Sequence, residues 1–295
     1  MLRTYILPHL VNNFNACLTL HYFPASWRCA RALVLKKANK ESYVSAGSFR
    51  PISILNALSK LFERVVHARL RLLVESNKWF SPARHGFRPR RSTESACIEL
   101  ISLIEESFRQ RKIVACAFLD IKSAFDAAWH PAILRGLIAK GCPSYLAELV
   151  RCFLHDRSAT LSSADASLTR KLELGCPQGS VLSPFLWNIL LDSLLRENFP
   201  FPHLFIAYAD DVVLCSVHED RNVAISNLQR MCDTAVSWGE AVKHSFNPSK
   251  SAFLLFSRKR KKDVDVDVDL FILLNQDRVH RSRDCLYLGI TIDEA

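Results

Sequence analysis

Three carboxylates stand where a folding chain has little use for them. Asp210 and Asp211 are adjacent inside the apolar run FIAYADDVVL (205–214), and Asp120 closes the apolar run IVACAFLD (113–120). Successive side chains on a strand point to opposite faces, so an unbroken strand through 205–214 would drive one of the two aspartates into the core. An unpaired carboxylate there would lose its hydration at a cost of several kcal/mol. A sharp turn at Ala209–Asp211 avoids this, because FIAY and VVLC then become two antiparallel strands with both carboxylates at the hairpin tip. With Asp120 presented by another strand end, three carboxylates could converge on one point. Each close pair would repel by about 1 to 4 kcal/mol at about 4 Å, depending on the effective dielectric. A cation makes such an arrangement favourable, and oxygen-only ligands select a hard divalent ion such as Mg²⁺ or Mn²⁺. On residue types alone, an ordinary surface turn decorated with aspartates stays open as the other reading.

The elements that must position these residues are visible in the periodicity. Residues 58–75 carry apolar positions at helical spacing with basic residues between them, which predicts an amphipathic helix. Ser92 and Thr93, followed by Glu94 and an apolar run, mark a second helix start close to capping-box logic. The run 113–120 is β-rich and almost wholly apolar, as a buried strand requires. Helical patterns occupy 131–154, 183–197 after the turn GCPQGS, and 221–242. Strands are predicted at SAFLLFS, VDVDVDLFILL and CLYLGITID. Helices and strands mix without regular alternation, which gives the fold class as α+β.

Composition limits the functions open to such a fold. The chain has 295 residues, 49% apolar and 23% charged, as an ordinary globular protein does. Lys+Arg number 39 against 29 Asp+Glu, a net charge of +10 that favours a polyanionic partner such as nucleic acid or phosphate. The 10 cysteines include no CxxC pair, which argues against a zinc ribbon and a secreted disulfide scaffold. Cys17, Cys116 and Cys215 lie in apolar runs and are expected to be reduced core residues. The N-terminus makes a poor signal peptide, with Pro8 and His9 breaking its apolar patch. No apolar run approaches about 18 residues, and FLWNILLDSLL carries Asp192. An intracellular protein, soluble or peripheral, without a membrane span is expected.

Several motifs in order resemble the reverse transcriptase family, and within it the non-LTR (LINE-like) retrotransposon branch. YADD (208–211) is similar to that family's motif C, FLDIKSAFDAAWH (118–130) to motif A, and GCPQGSVLSPFLWNILLDSLL (175–195) to motif B in its non-LTR form. SFRPISILNALSKLFERVVHARL (48–70) and HGFRPRRSTESA (85–96) resemble the fingers motifs. FNPSKSAFLLFSRK (246–259) resembles motif D, and CLYLGITID (285–293) the motif E region. The resemblance runs from about residue 23 to 293. It implies a right-hand polymerase fold, with an N-terminal segment and fingers over 1–112, an antiparallel palm sheet within 113–295, and a thumb absent or incomplete. It implies RNA-directed DNA polymerase activity on an RNA template, a DNA primer and deoxynucleoside triphosphates. Two Mg²⁺ or Mn²⁺ ions would be held by Asp120, Asp210 and Asp211 with the Ile121 carbonyl.

Further roles are carried over by the same motifs. Phe125 occupies the steric-gate position that rejects a ribose 2′-hydroxyl, and Gln178 with Gly179 would lie under the incoming nucleotide. Arg50 resembles the fingers arginine that reaches the triphosphate, with Lys36 and Lys37 assisting, and Arg88 would contact phosphate. Lys250 would protonate pyrophosphate or simply be a surface lysine. Tyr287, Leu288 and Gly289 fall where the family grips the primer end. RKRKK (258–262) is a backbone-binding patch, a nuclear signal or a charged turn, and the acidic alternation to Asp269 suggests an edge strand.

The chain departs from the pattern at Leu35-Lys36-Lys37 and its polar insert ANKESYVSAGS, and at His85 before the GFR triplet. It is expected to be the polymerase segment of a larger retrotransposon protein, acting in a nuclear or cytoplasmic ribonucleoprotein. The alternative is a truncated, catalytically silent remnant that at most binds nucleic acid.

Overall fold

The computed structural model describes residues 2–37, 42–163, 165–258 and 269–294. Contacts divide the chain into two compact, discontinuous units, residues 1–79 with 125–190 and residues 80–124 with 191–295. These units are set by contacts and cut the chain at other points than the 112/113 division expected from the motifs. Residues 125–190 cluster with the N-terminal part because a strand from that segment joins its sheet.

In the first unit, β1 (Cys29–Lys36), β2 (Phe49–Ile54), β4 (Arg157–Ser162) and β5 (Ser167–Leu172) form a sheet of order β2-β1-β4-β5. Only the β1–β4 pairing is parallel. The helices are α1 (Leu2–Thr19), α2 (Ala57–Asn77), α4 (His130–Ala139), α5 (Ser144–Leu154) and α6 (Ser183–Leu191). Aromatic rings knit α1, α2 and α5 together: Phe23 meets Phe62 of α2 at 5.5 Å and Phe153 of α5 at 5.1 Å, and Phe14 of α1 meets Phe62 at 5.3 Å. The helix predicted over 58–75 is α2, started by an Asn56 side chain that accepts from the Leu58 N–H. The predicted 131–154 is two helices, parted at Gly141-Cys142-Pro143, where Gly141 takes φ +71° and Pro143 caps the second. The predicted 183–197 helix stops at Leu191, followed by a short 3₁₀ turn at 194–196.

The second unit is built on β3 (Ile113–Asp120), β6 (His203–Tyr208), β7 (Asp211–His218) and β8 (Ala252–Phe256), in the order β6-β7-β3-β8 with every pairing antiparallel. Seven of the eight β3 residues are buried. Helix α3 (Thr93–Arg109) packs Ala96, Cys97 and Leu100 into one core with Val114, Cys116 and Phe118. Alternation turns Ala115 and Ala117 the other way, where α7 (Arg221–Val242) packs against β3 and β7. The N-cap of α3 is Ser92, as expected, but its reciprocal partner is Ser95 rather than a glutamate. Two small hairpins complete the unit: β9 (Phe271–Leu274) with β10 (Asp277–His280), and β11 (Asp284–Tyr287) with β12 (Ile290–Asp293). CLYLGITID is thus a hairpin and not one strand, because Leu288 and Gly289 both take positive φ. Of the acidic alternation only Asp269 is described, and residues 259–262 of the basic run also lie outside the described residues. Among the described residues, no helix is long and apolar enough to cross a membrane.

Candidate active site

The predicted hairpin is present and places the three aspartates at one end of the buried sheet. Asp120, the last residue of β3, lies opposite Asp211, the first residue of β7, and Asp211 in turn faces Tyr208 of β6. Ala209 and Asp210 make the two-residue turn, with Ala209 at φ +53°. A left-handed conformation costs a residue with a Cβ roughly 1 kcal/mol, so neighbouring structure has to enforce it.

That enforcement comes from the segment before α3. Ala207 donates its N–H to the Ala83 carbonyl at 2.9 Å, and its own carbonyl accepts from the His85 N–H at 2.8 Å and the Gly86 N–H at 3.3 Å. This strap brings Gly86 so close to the turn that a Cβ there would lie 2.1 Å from the Ala209 nitrogen. His85 is fully buried and ties the strap to α3, with Nδ1 2.7 Å from Ser95 Oγ and Nε2 2.8 Å from Glu99 Oε2. His85 and Gly86 thus shape the aspartate turn, a role that carries no local sign in the sequence.

Electrostatics mark the same place. Asp211, solvent-exposed at its tip but flanked by β3 and β6, has its pKa raised to about 6 by desolvation and then by the charges of Asp210 and Asp120. Arg84, fully buried in the strap, is lowered to about 9 by desolvation, against the opposing pull of Asp192 and Asp210. Lys250 Nζ stands 3.6 Å from Asp120 Oδ2, so this lysine belongs to the carboxylate cluster. Asp120 is further fixed through its backbone, donating N–H to Ser251 Oγ at 3.2 Å and accepting from the Asn247 N–H at 2.8 Å. Ile121, next in sequence, forms a β-bridge with Phe246. Among the described residues, no three His, Cys, Asp or Glu side chains are already drawn into a ligand set.

The second unit also holds Arg88 and the β11–β12 turn. Arg88 donates to the Ser81 carbonyl at 2.8 Å, so its guanidinium braces its own loop. Tyr287 is 4% exposed and packs on Phe118 at 5.3 Å, which makes its ring part of the core and unavailable to a ligand. Leu288 and Gly289 form the turn beside it, with Leu286 and Ile290 exposed on either side.

The remaining predicted residues lie in the first unit. Phe125 is half-buried, its ring 5.7 Å from that of Trp187. Its carbonyl accepts from the Cys176 N–H at 2.7 Å, and Gly175, at φ +89°, lies so close to Asp126 that a Cβ would be 2.6 Å from the Asp126 carbonyl oxygen. Gln178 Nε2 donates to Asp126 Oδ1 at 2.9 Å. Gly179 takes φ +115° against the Ser53 carbonyl. Arg50 is exposed on β2, in register with Leu35. Lys36 lies over the Tyr43 ring at 4.9 Å, while Lys37 Nζ is engaged by the Gly47 carbonyl at 3.0 Å.

Residues 35–292 match the family model for reverse transcriptase (RNA-dependent DNA polymerase). The chain belongs to the reverse transcriptase family. It is 32% identical over 287 residues to the 115 kDa protein of the type-1 retrotransposable element R1DM of Drosophila melanogaster, covering 97% of this chain and 27% of that protein. It is 29% identical over 289 residues to the RNA-directed DNA polymerase from the mobile element jockey of the same fly, covering 95% and 30%. The chain thus spans less than a third of these reverse transcriptase relatives. Among solved structures, apo telomerase from Candida tropicalis superposes with a TM-score of 0.63 at 11% identity, over 98% of this chain and 52% of that one. That likeness establishes the fold.

Proposed function

We propose that the chain is the RNA-directed DNA polymerase core of a non-LTR retrotransposon, extending a DNA primer on an RNA template with deoxynucleoside triphosphates. The observation that carries this reading is the register pair Asp120–Asp211 with Asp210 in the adjoining turn. Asp120, Asp210 and Asp211 would hold Mg²⁺ or Mn²⁺, with the Ile121 carbonyl as a further oxygen. The donor set fits such ions: it is all oxygen, and a divalent charge relieves the repulsion that helps raise Asp211. Two ions bound there would lower the pKa of the primer 3′-hydroxyl and neutralise the leaving pyrophosphate.

The chain's own contribution is placement and charge. The buried sheet holds the aspartate backbones rigidly, which in-line phosphoryl chemistry rewards more than any side-chain reactivity. Lys250, 3.6 Å from Asp120, would be near enough to give a proton to departing pyrophosphate, or would serve only as the surface partner of that carboxylate. Arg50 and Lys36, both exposed, would take the triphosphate. Phe125, backed by Trp187, would stand against a ribose 2′-hydroxyl, and Gln178, oriented by Asp126, would underlie the nucleotide. Any hold on the primer falls to the 288–289 turn and not to the Tyr287 ring. An enzyme of this kind would act inside the cell, in a ribonucleoprotein with its template.

Primer extension on an RNA template by the purified chain tests this reading. Extension is expected only with Mg²⁺ or Mn²⁺, and Asp120→Asn or Asp210→Asn should each lower it by about a thousandfold. Metal-independent extension, or undiminished extension by Asp210→Asn, would overturn it.

A further inference from the structure

The turn at residues 177–180 is held by a carboxylate from another helix. Glu63, in the second turn of α2, has 0% solvent exposure. Its Oε2 accepts from Ser180 Oγ at 2.5 Å, the Val181 N–H at 2.7 Å and the Leu182 N–H at 3.2 Å. Its Oε1 accepts from Ser59 Oγ at 3.1 Å. Burial of a carboxylate is tolerable when its oxygens are satisfied, as they are here. Helix α6 begins at Ser183, so Glu63 takes up amides at the helix start, where a negative charge is also favoured. Arg157, itself buried, adds a compensating positive charge felt by Glu63.

The opposite side of the turn is pinned by backbone. Ser53 of β2 donates its N–H to the Gln178 carbonyl at 2.7 Å, and Gly179 presses on the Ser53 carbonyl, where a Cβ would come within 2.6 Å. Ser183 Oγ donates to the Pro177 carbonyl at 2.9 Å. Of these restraints, the Glu63 carboxylate is the one that gathers the last residue of the turn and the two amides that follow it onto a single oxygen.

We infer that Glu63 is a positioning residue for nucleotide binding, fixing the Gln178–Gly179 turn without touching the nucleotide itself. This rests on the polymerase reading of that turn. A small displacement of groups that orient a substrate can cost tenfold to a hundredfold, so Glu63 acts on nucleotide affinity before it acts on chemistry.

The test is single-nucleotide extension, corrected for active-enzyme concentration, with thermal melts as a control for folding. Glu63→Ala is expected to raise the KM for the deoxynucleotide about tenfold or more, with kcat per active enzyme changed by less than about threefold. Glu63→Gln should rescue KM to within about threefold of the parent, since its amide oxygen can replace Oε2 and its NH₂ can donate to Ser59. Ser180→Ala, which removes one donor, should raise KM by an intermediate factor and decides the matter if Glu63→Ala does not fold. An unchanged KM in the folded variant, with only the active fraction reduced, would make Glu63 purely structural and overturn the inference. Absence of extension by the parent chain would overturn the polymerase reading and this inference together, which distinguishes the two failures.

Discussion

The two four-stranded sheets of this molecule solve opposite problems. In β6-β7-β3-β8 the strands are apolar and buried, with β3 exposed to solvent only at its terminal aspartate. Its edges are also covered: the strap at residues 83–86 bonds to β6, and Arg281 bridges to Phe253 of β8. In β2-β1-β4-β5, by contrast, consecutive residues Leu33, Val34 and Leu35 are 47%, 42% and 47% exposed, and β5 is exposed at five of its six positions. A sheet buried on both faces can present charge only at its ends, which is where the carboxylates are. A sheet open to solvent can present Arg50, Lys36 and its aliphatic residues along its length. Burial is concentrated behind the aspartates, and accessibility along the faces of the open sheet.

The sharpest way to break this contrast is Asp211→Asn. Activity should fall by about a thousandfold, while the thermal midpoint holds or rises because one of three mutually repelling carboxylates loses its charge. A large drop in midpoint would mean that the cluster stabilises the sheet instead of burdening it. Truncation sharpens the comparison next. Phe253→Ala in the buried sheet should cost about 3 to 5 kcal/mol in chemical denaturation, and Leu35→Ser in the open sheet less than about 1 kcal/mol. Equal costs would show that the open face is covered in solution. Gly86→Ala has to move the Ala209 turn, so kcat should fall by about a hundredfold with a smaller loss of stability. Phe125→Val is gentler: the ratio of deoxynucleotide to ribonucleotide incorporation should fall by about tenfold or more, with extension retained. An unchanged ratio removes Phe125 from sugar selection.

The smallest effect expected is in acid. His244 is buried beside the parallel ring of Trp238, and desolvation lowers its pKa to about 4. The unfolded chain takes up a proton near pH 6.5 and the folded one only near pH 4, so this group's contribution to stability declines as pH falls through that window and is intact above it. Melting curves of His244→Phe should show a shallower decline over the same range.

Local patterns in the sequence are enough to find the strands and helices that carry the aspartates: β3 by its apolar run, the hairpin by the paired aspartates within one, α2 and α7 by period, and α3 also by its cap. Interactions across long stretches of chain were not legible. Glu63 lies among Phe62 and Arg64 and carries no local sign that its partners are residues 180–182. Gly86 looks like a loop glycine until the Ala209 turn is placed against it. Motif position alone points to Tyr287, but its burial depends on its packing against Phe118, which lies far away in sequence. Helix α1 went unpredicted, its pattern interrupted by Pro8. The arrangement of aspartates was readable because charge in an apolar strand is improbable, whereas a buried glutamate in an amphipathic helix looks like a surface residue.

The central position of β3 has a consequence for synthesis. Its neighbours on either side, β7 and β8, lie far downstream, and the segment that completes the first unit is made between them and β3. Until Asp211–His218 and Ala252–Phe256 have left the ribosome, IVACAFLD has two unpaired backbone edges and an apolar face on each side. Such a segment is prone to pair with a copy of itself, and sheets assembled from distant strands close slowly. The nascent chain therefore passes through a stage in which its future central strand is left open to pairing with other chains. Shielding by a chaperone would raise the yield of folded protein by covering this interval without altering the finished structure.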